Sequence, residues 1–69
     1  MKKYIVCVNN MMENDMRMVK VEADSEKEAI VIAFGDSIDM FENFEYMTVE
    51  DIQEYYFDAD TLISDAVEI

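Results

Sequence analysis

The sequence predicts an α+β domain of order β-β-α-α-β: a small antiparallel sheet with helices packed on one face. Three observations predict it. The chain opens with two β-prone runs around an Asn-rich connection. It then carries two helix-capping patterns, each followed by apolar residues at three- and four-residue spacings. It closes in a short apolar stretch. No linker, repeat or low-complexity segment divides it, so residues 1–69 read as one domain.

Tyr4-Ile5-Val6-Cys7-Val8 is β-branched and aromatic without a breaker, and reads as the first strand. Asn9 to Asp15 is polar, and Asn9, Asn10 and Asn14 tolerate the left-handed backbone that turns often require. Met16 to Glu22 alternates, with Arg17, Val19 and Val21 on one face and Met16, Met18, Lys20 and Glu22 on the other. The two runs make a β-hairpin. If Ile5 and Cys7 join Val19 and Val21 against the helices, then Tyr4, Val6, Val8, Met16 and Met18 share the opposite face. That face is too apolar to leave in water, and calls for the C-terminal segment, a second copy or a partner protein to cover it.

Ser25-Glu26-Lys27-Glu28 is a capping box: the Ser25 hydroxyl can accept the Glu28 amide while the Glu28 carboxylate reaches back to the Ser25 amide. Ile30, Ala33, Phe34, Ile38 and Phe41 follow at helical spacing. Gly35 either ends a first segment in a left-handed cap or sits inside a longer helix at about 1 kcal/mol relative to Ala. Thr48-Val49-Glu50-Asp51 starts a second helix, with Val49, Ile52, Tyr55 and Tyr56 at helical spacing. At the C-terminus, Ala59, Leu62, Ile63, Ala66 and Val67 fit a helix, whereas Ile63, Val67 and Ile69 fit a strand. The strand is preferred, because a hairpin alone is seldom stable in water.

A chain of 69 residues buries only about 60% of the surface its unfolded form exposes, so something must supplement a marginal core. An internal disulfide is excluded, since Cys7 is the only cysteine, and structural zinc is not expected from one Cys and no His. Oligomerisation or dense packing of the 52% apolar residues remains. No stretch approaches the roughly 20 apolar residues of a membrane span, and Met1-Lys2-Lys3 before Tyr4–Val8 is too short for a signal peptide. A reducing cytoplasm is the expected compartment, that of the host cell if the gene is a phage's.

Charge is distributed unevenly. Every Lys and Arg (Lys2, Lys3, Arg17, Lys20, Lys27) lies in the first 27 residues, whereas Glu28 to Ile69 holds twelve Asp and Glu and no basic residue. Like charges one helical turn apart repel by roughly 0.2–0.5 kcal/mol per pair. A net charge of −12 argues against direct contact with DNA, RNA or anionic lipid, and for a basic protein surface as partner. Asp36, Asp39, Glu42 and Glu45 stand three residues apart, and Asp51, Glu54 and Asp58 continue at three and four. On an α-helix each step of three rises about 4.5 Å and turns about 300°, which draws the carboxylates into a slowly winding stripe. Duplex phosphates also present a winding line of negative charge. The plainer reading is a solvated helix face, although such faces usually mix both signs. Tyr46, Tyr55 and Tyr56 interleave with these acids, and tyrosine is enriched where binding energy concentrates in interfaces.

Other chemistry finds little footing. Asp58-Ala59-Asp60 opens like a calcium loop, but Leu62, Ile63 and Ile69 occupy its defining positions. With no His and no evident base beside any Ser or Cys, nucleophilic catalysis lacks its usual partner, and no pair of carboxylates is singled out for acid–base work. Cys7, in an apolar strand, reads as a small buried hydrophobe. Met11 and Met12 sit at the hairpin tip, where flexible side chains suit protein contacts or fold over the sheet edge. No cofactor or metal is expected, and the chain is not expected to be an enzyme.

In length, in the Lys- and Arg-free stretch from Glu28 to Ile69 and in single-domain α+β patterning, the chain resembles the small acidic proteins that bacteriophages make against host defence: anti-CRISPR proteins, antirestriction proteins and uracil-DNA glycosylase inhibitors. The likeness is one of whole-chain character. It implies a stoichiometric inhibitor that occupies the nucleic-acid site of a bacterial defence protein, with a CRISPR effector complex as the first target to consider. The residues expected to meet it are Asp36, Asp39, Glu42, Glu45, Asp51, Glu54 and Asp58, with Tyr55. The alternative is a self-associating structural or regulatory module, a homodimer through the Tyr4, Val6 and Val8 face of the hairpin.

Overall fold

In the computed structural model of residues 1–69, the chain begins with two nine-residue strands, β1 (Lys2–Asn10) and β2 (Asp15–Ala23), joined by a tight turn. Asn14 takes the left-handed conformation there (φ 53), and the Asn10 side-chain carbonyl accepts the amides of Met12 and Glu13. Those two asparagines let the strands run together as far as Asn10 and Asp15, and so set the pairing register: Tyr4 opposite Val21, Val6 opposite Val19, Val8 opposite Arg17.

That register overturns the expected choice of faces. Residues directly opposite one another in an antiparallel pair share a face, and a slip of one residue sends every side chain to the other side. Tyr4, Val6 and Val8, not Ile5 and Cys7, therefore join Val19 and Val21 beneath the helices, and all three are buried. A homodimer through the Tyr4, Val6 and Val8 face has no surface left to use. Ile5 and Cys7 lie instead on the opposite side with Met16 and Met18.

Helix α1 (Glu26–Phe34) starts where the sequence placed it, with the Glu28 amide donating to Ser25 Oγ at 3.3 Å. It stops earlier than its apolar spacing suggested. Gly35 adopts φ 106, and the Gly35 and Asp36 amides donate to the carbonyls of Ile32 and Val31. This is the double closure of a left-handed glycine cap. Of the two roles open to Gly35, the structure therefore takes the terminating one, and Ile38 and Phe41 fall beyond the helix. Two 3₁₀ turns follow, Ile38–Met40 and Phe44–Tyr46.

Helix α2 (Val49–Phe57) carries the complete capping box: Asp51 N donates to Thr48 Oγ1 at 3.1 Å and Thr48 N to Asp51 Oδ2 at 3.0 Å. Asp51, although one carbon shorter than the Glu usual at this position, reaches the Thr48 amide. After a turn through Asp60 (φ 60), the C-terminal segment is extended and antiparallel to β1 on the side away from β2, so the strand reading of this segment is correct. It forms two pieces, β3 (Thr61–Ile63) and β4 (Val67–Glu68).

The break between them is a bulge. Val8 pairs with Ile63 and Ile5 with Val67, so three residues (64–66) face two on β1. Ser64 bridges the gap, its amide donating to Cys7 O while its hydroxyl accepts the Cys7 amide at 2.9 Å. Gln53 of α2 donates to Ile63 O and to Asp65 at the same place.

One core unites these elements: Tyr4, Val6 and Val8 from β1, Val21 and Ala23 from β2, Ala29, Ile30, Val31 and Ala33 from α1, Ile52 and Tyr56 from α2, and Ile63 and Ala66. Both helices cover the same face of the sheet, and Ile38, Phe41, Phe44 and Met47 of the acidic segment pack against the same core. No helix is long and apolar enough to cross a membrane.

Candidate partner-binding surface

The three-residue rhythm that suggested a carboxylate stripe has no continuous helix beneath it. Residues 35–47 are not α-helical. They contain the two short 3₁₀ turns, separated by extended Phe41 and a turn at residues 42–43, so no single helix runs through them. The side chains form two interleaved sets. Ile38, Phe41, Phe44 and Met47 turn inward, partly buried against the core. Asp39, Glu42 and Glu45 are exposed. The winding α-helical stripe is thus absent, although all three of these acids are exposed on one segment.

Beneath them lies an aromatic floor. Phe34 stacks on Tyr56 with ring centroids 4.2 Å apart, Phe41 meets Tyr55 edge-on at 5.1 Å, and Phe41 and Phe44 are 6.2 Å apart. Tyr55 and Tyr56 pack edge-on at 5.2 Å. Such pairs contribute about 0.5–1.5 kcal/mol each beyond area burial. They fix a segment that has little regular hydrogen bonding of its own. Lys27 adds a tether: its ammonium donates to Phe44 O at 2.6 Å and sits 4.6 Å from the Phe44 ring centroid.

On α2, Ile52 and Tyr56 point into the core, and advancing about 100° per residue places Glu50, Asp51, Glu54 and Asp58 on the opposite arc. All four are exposed. Tyr55 lies at the border of that arc on the Phe41 side and is 47% exposed. The border of this outer arc meets the 3₁₀ segment at the Tyr55–Phe41 contact, so the two acid-bearing elements adjoin there.

Two of the expected residues have work inside the fold. Asp36 is half-buried and accepts a hydrogen bond from the Tyr56 hydroxyl at 2.9 Å. Burial, that hydrogen bond and the Asp36 charge together hold the Tyr56 hydroxyl well above its usual pKa. Asp51 closes the capping box. Tyr56, which the sequence placed among the interleaved tyrosines, is almost wholly buried. Conversely, Glu50 belongs to the exposed surface and was not singled out. Glu50 had a legible signal, since it precedes Glu54 and Asp58 at successive steps of four. Tyr46, named with the interleaved tyrosines, is 81% exposed.

An apolar margin borders these acids. A shallow hollow between α2 and β3 is lined by Glu50, Gln53, Glu54, Phe57, Leu62 and Ile63, with Phe57 and Leu62 about half exposed. No protein-family model, characterised protein or solved structure matches the chain.

Proposed function

We propose that the protein is a non-enzymatic inhibitor whose acidic surface occupies the nucleic-acid-binding site of a basic protein, in keeping with its resemblance to phage anti-defence proteins; a CRISPR effector is the first target to try. The observation that carries this reading is the combination of sign and placement. From Glu28 onward there is no basic residue, and Asp39, Glu42, Glu45, Glu50, Glu54 and Asp58 are exposed on two adjoining elements. Exposed carboxylates on elements held by a packed aromatic floor resemble a phosphate backbone in presenting closely spaced negative charge. Attraction to a cationic groove accelerates encounter by ten- to a thousandfold at low salt. Tyr55 and Tyr46 supply the amphipathic contacts on which affinity concentrates in interfaces.

The test is substitution of the outward acids of the 3₁₀ segment, Asp39→Lys, Glu42→Lys and Glu45→Lys together. The triple variant keeps its fold, because none of the three is buried or hydrogen-bonded through its carboxylate. It loses capture of basic nucleic-acid-binding proteins from bacterial lysate, and capture by the unaltered protein falls steeply as ionic strength rises. Equal capture by both forms, or capture insensitive to salt, contradicts the proposal.

A further inference from the structure

The hollow between α2 and β3 combines apolar wall and polar rim in a way that restricts what can enter it. Glu50, Gln53, Glu54 and Phe57 stand three and four residues apart and so share one side of α2. Leu62 and Ile63 of β3 complete the lining, around a volume of about 430 Å³. Phe57 and Leu62 leave apolar surface open to it.

Its polar side-chain groups are all of one kind. Glu50 and Glu54 are exposed and bring carboxylates, which only accept. An unengaged Gln53 would offer two donors. Its amide nitrogen, however, donates to Ile63 O at 3.2 Å and to Asp65 Oδ1 at 2.9 Å, which uses both hydrogens and leaves its carbonyl oxygen to accept. The hollow therefore presents three accepting groups beside Phe57 and Leu62, and no side-chain donor. The chain has no cation of its own to place there: none follows Lys27, and Lys27 is tied to Phe44.

We infer that the hollow receives an arginine side chain of the basic partner, one that otherwise contacts phosphate. The inference rests on the inhibitor reading above and names the group that the acidic surface engages. Charge complementarity calls for a cation, and the apolar wall calls for an aliphatic stem, which arginine and lysine both have. The spread of the acceptors separates the two. Glu50 and Glu54 lie one turn apart, with Cβ atoms about 5–6 Å from each other, and Gln53 lies between them in sequence. A planar guanidinium with five donors spans such a set and stacks on an exposed ring such as Phe57, whereas an ammonium is a compact, strongly hydrated point charge. The two carboxylates stand in for phosphate oxygens, and Leu62 carries the stem.

NMR titration of the full chain with acetyl-Gly-Arg-Gly-amide, and with the same peptide carrying lysine or citrulline, tests this. The expected result is saturable movement of the Gln53, Glu54, Phe57 and Leu62 signals with the arginine peptide, severalfold weaker binding with lysine, and none with uncharged citrulline. Glu50→Gln with Glu54→Gln, shown folded by circular dichroism, should weaken arginine binding severalfold. Phe57→Leu, checked in the same way, should bring arginine and lysine to parity.

Movement no greater at the hollow than at Asp39, Glu42 and Glu45 overturns the inference, as does equal binding of arginine and lysine by the unaltered chain. Either result leaves the inhibitor reading standing if the lysine variant at those three positions still loses capture. Arginine selectivity at the hollow together with salt-insensitive capture has the opposite meaning: it supports the arginine site and removes the inhibitor reading.

Discussion

The hairpin and the acidic half of this molecule are held together by different means. Strands β1 and β2 pair without interruption from Lys2–Ala23 to Asn10–Asp15, and this part of the chain contains acids and bases in near balance. The acidic half has shorter elements and two helices with acids in the first turn and no base in the last. First-turn acids complement the helix dipole, but the C-termini lack the cations that would do the same. Side-chain packing and caps carry more of the cohesion there: an aromatic cluster, a glycine terminator, a reciprocal capping box and the Lys27 tether. A protein can therefore keep one charge sign on half its surface, provided that the cohesion comes from beneath.

The largest effect should come from removing that cohesion. Tyr56 stacks on Phe34, packs against Tyr55 and Phe41, and donates to Asp36. Tyr56→Ala is expected to cost about 3–5 kcal/mol in urea unfolding. A loss under about 1 kcal/mol would mean that the acidic half does not depend on its aromatic floor.

A smaller effect is pH-dependent. The folded state keeps the Tyr56 proton to higher pH than the unfolded chain does. Between the unfolded value near 10 and the higher folded value, the native state binds more protons, so stability falls as pH rises. The contribution is complete below about pH 10 and is lost above it. Tyr56→Phe should flatten that alkaline decline while removing one hydrogen bond, about 1 kcal/mol, at neutral pH. An unchanged alkaline slope would show that Tyr56 is not its source.

Smallest is the effect of a single outward charge. Glu54→Lys on α2 turns a repulsive step of four from Glu50 into an attractive one, worth about 0.2–0.5 kcal/mol of added stability. A loss of more than about 1 kcal/mol would show that Glu54 supports the fold and is not simply a solvent-facing acid.

The hairpin, both helix starts and the C-terminal strand were legible because each rests on local chemistry: β-branched runs, Ser25 and Thr48 as caps, and the need of β1 for a second neighbour. The choice of sheet face was not, because it depends on a one-residue difference in where the turn closes, and the Asn-rich run from Asn9 to Asn14 admits more than one closure. The acids at 39, 42 and 45 were legible as an exposed set, although no α-helix runs through them. Asp36 could not be separated from them by spacing, since its bond to Tyr56 joins residues twenty positions apart. The Ser64 bulge is equally hidden, because its hydroxyl replaces a backbone partner only once β1 is alongside.

Competition tests the central claim most directly. A basic protein captured by the unaltered chain should be released by excess duplex nucleic acid, and the Asp39→Lys, Glu42→Lys, Glu45→Lys variant should fail to capture it while showing the same unfolding midpoint within the small range of surface substitutions, about 0.5 kcal/mol. Retained binding in the presence of nucleic acid, or full binding by the lysine variant, would contradict the account.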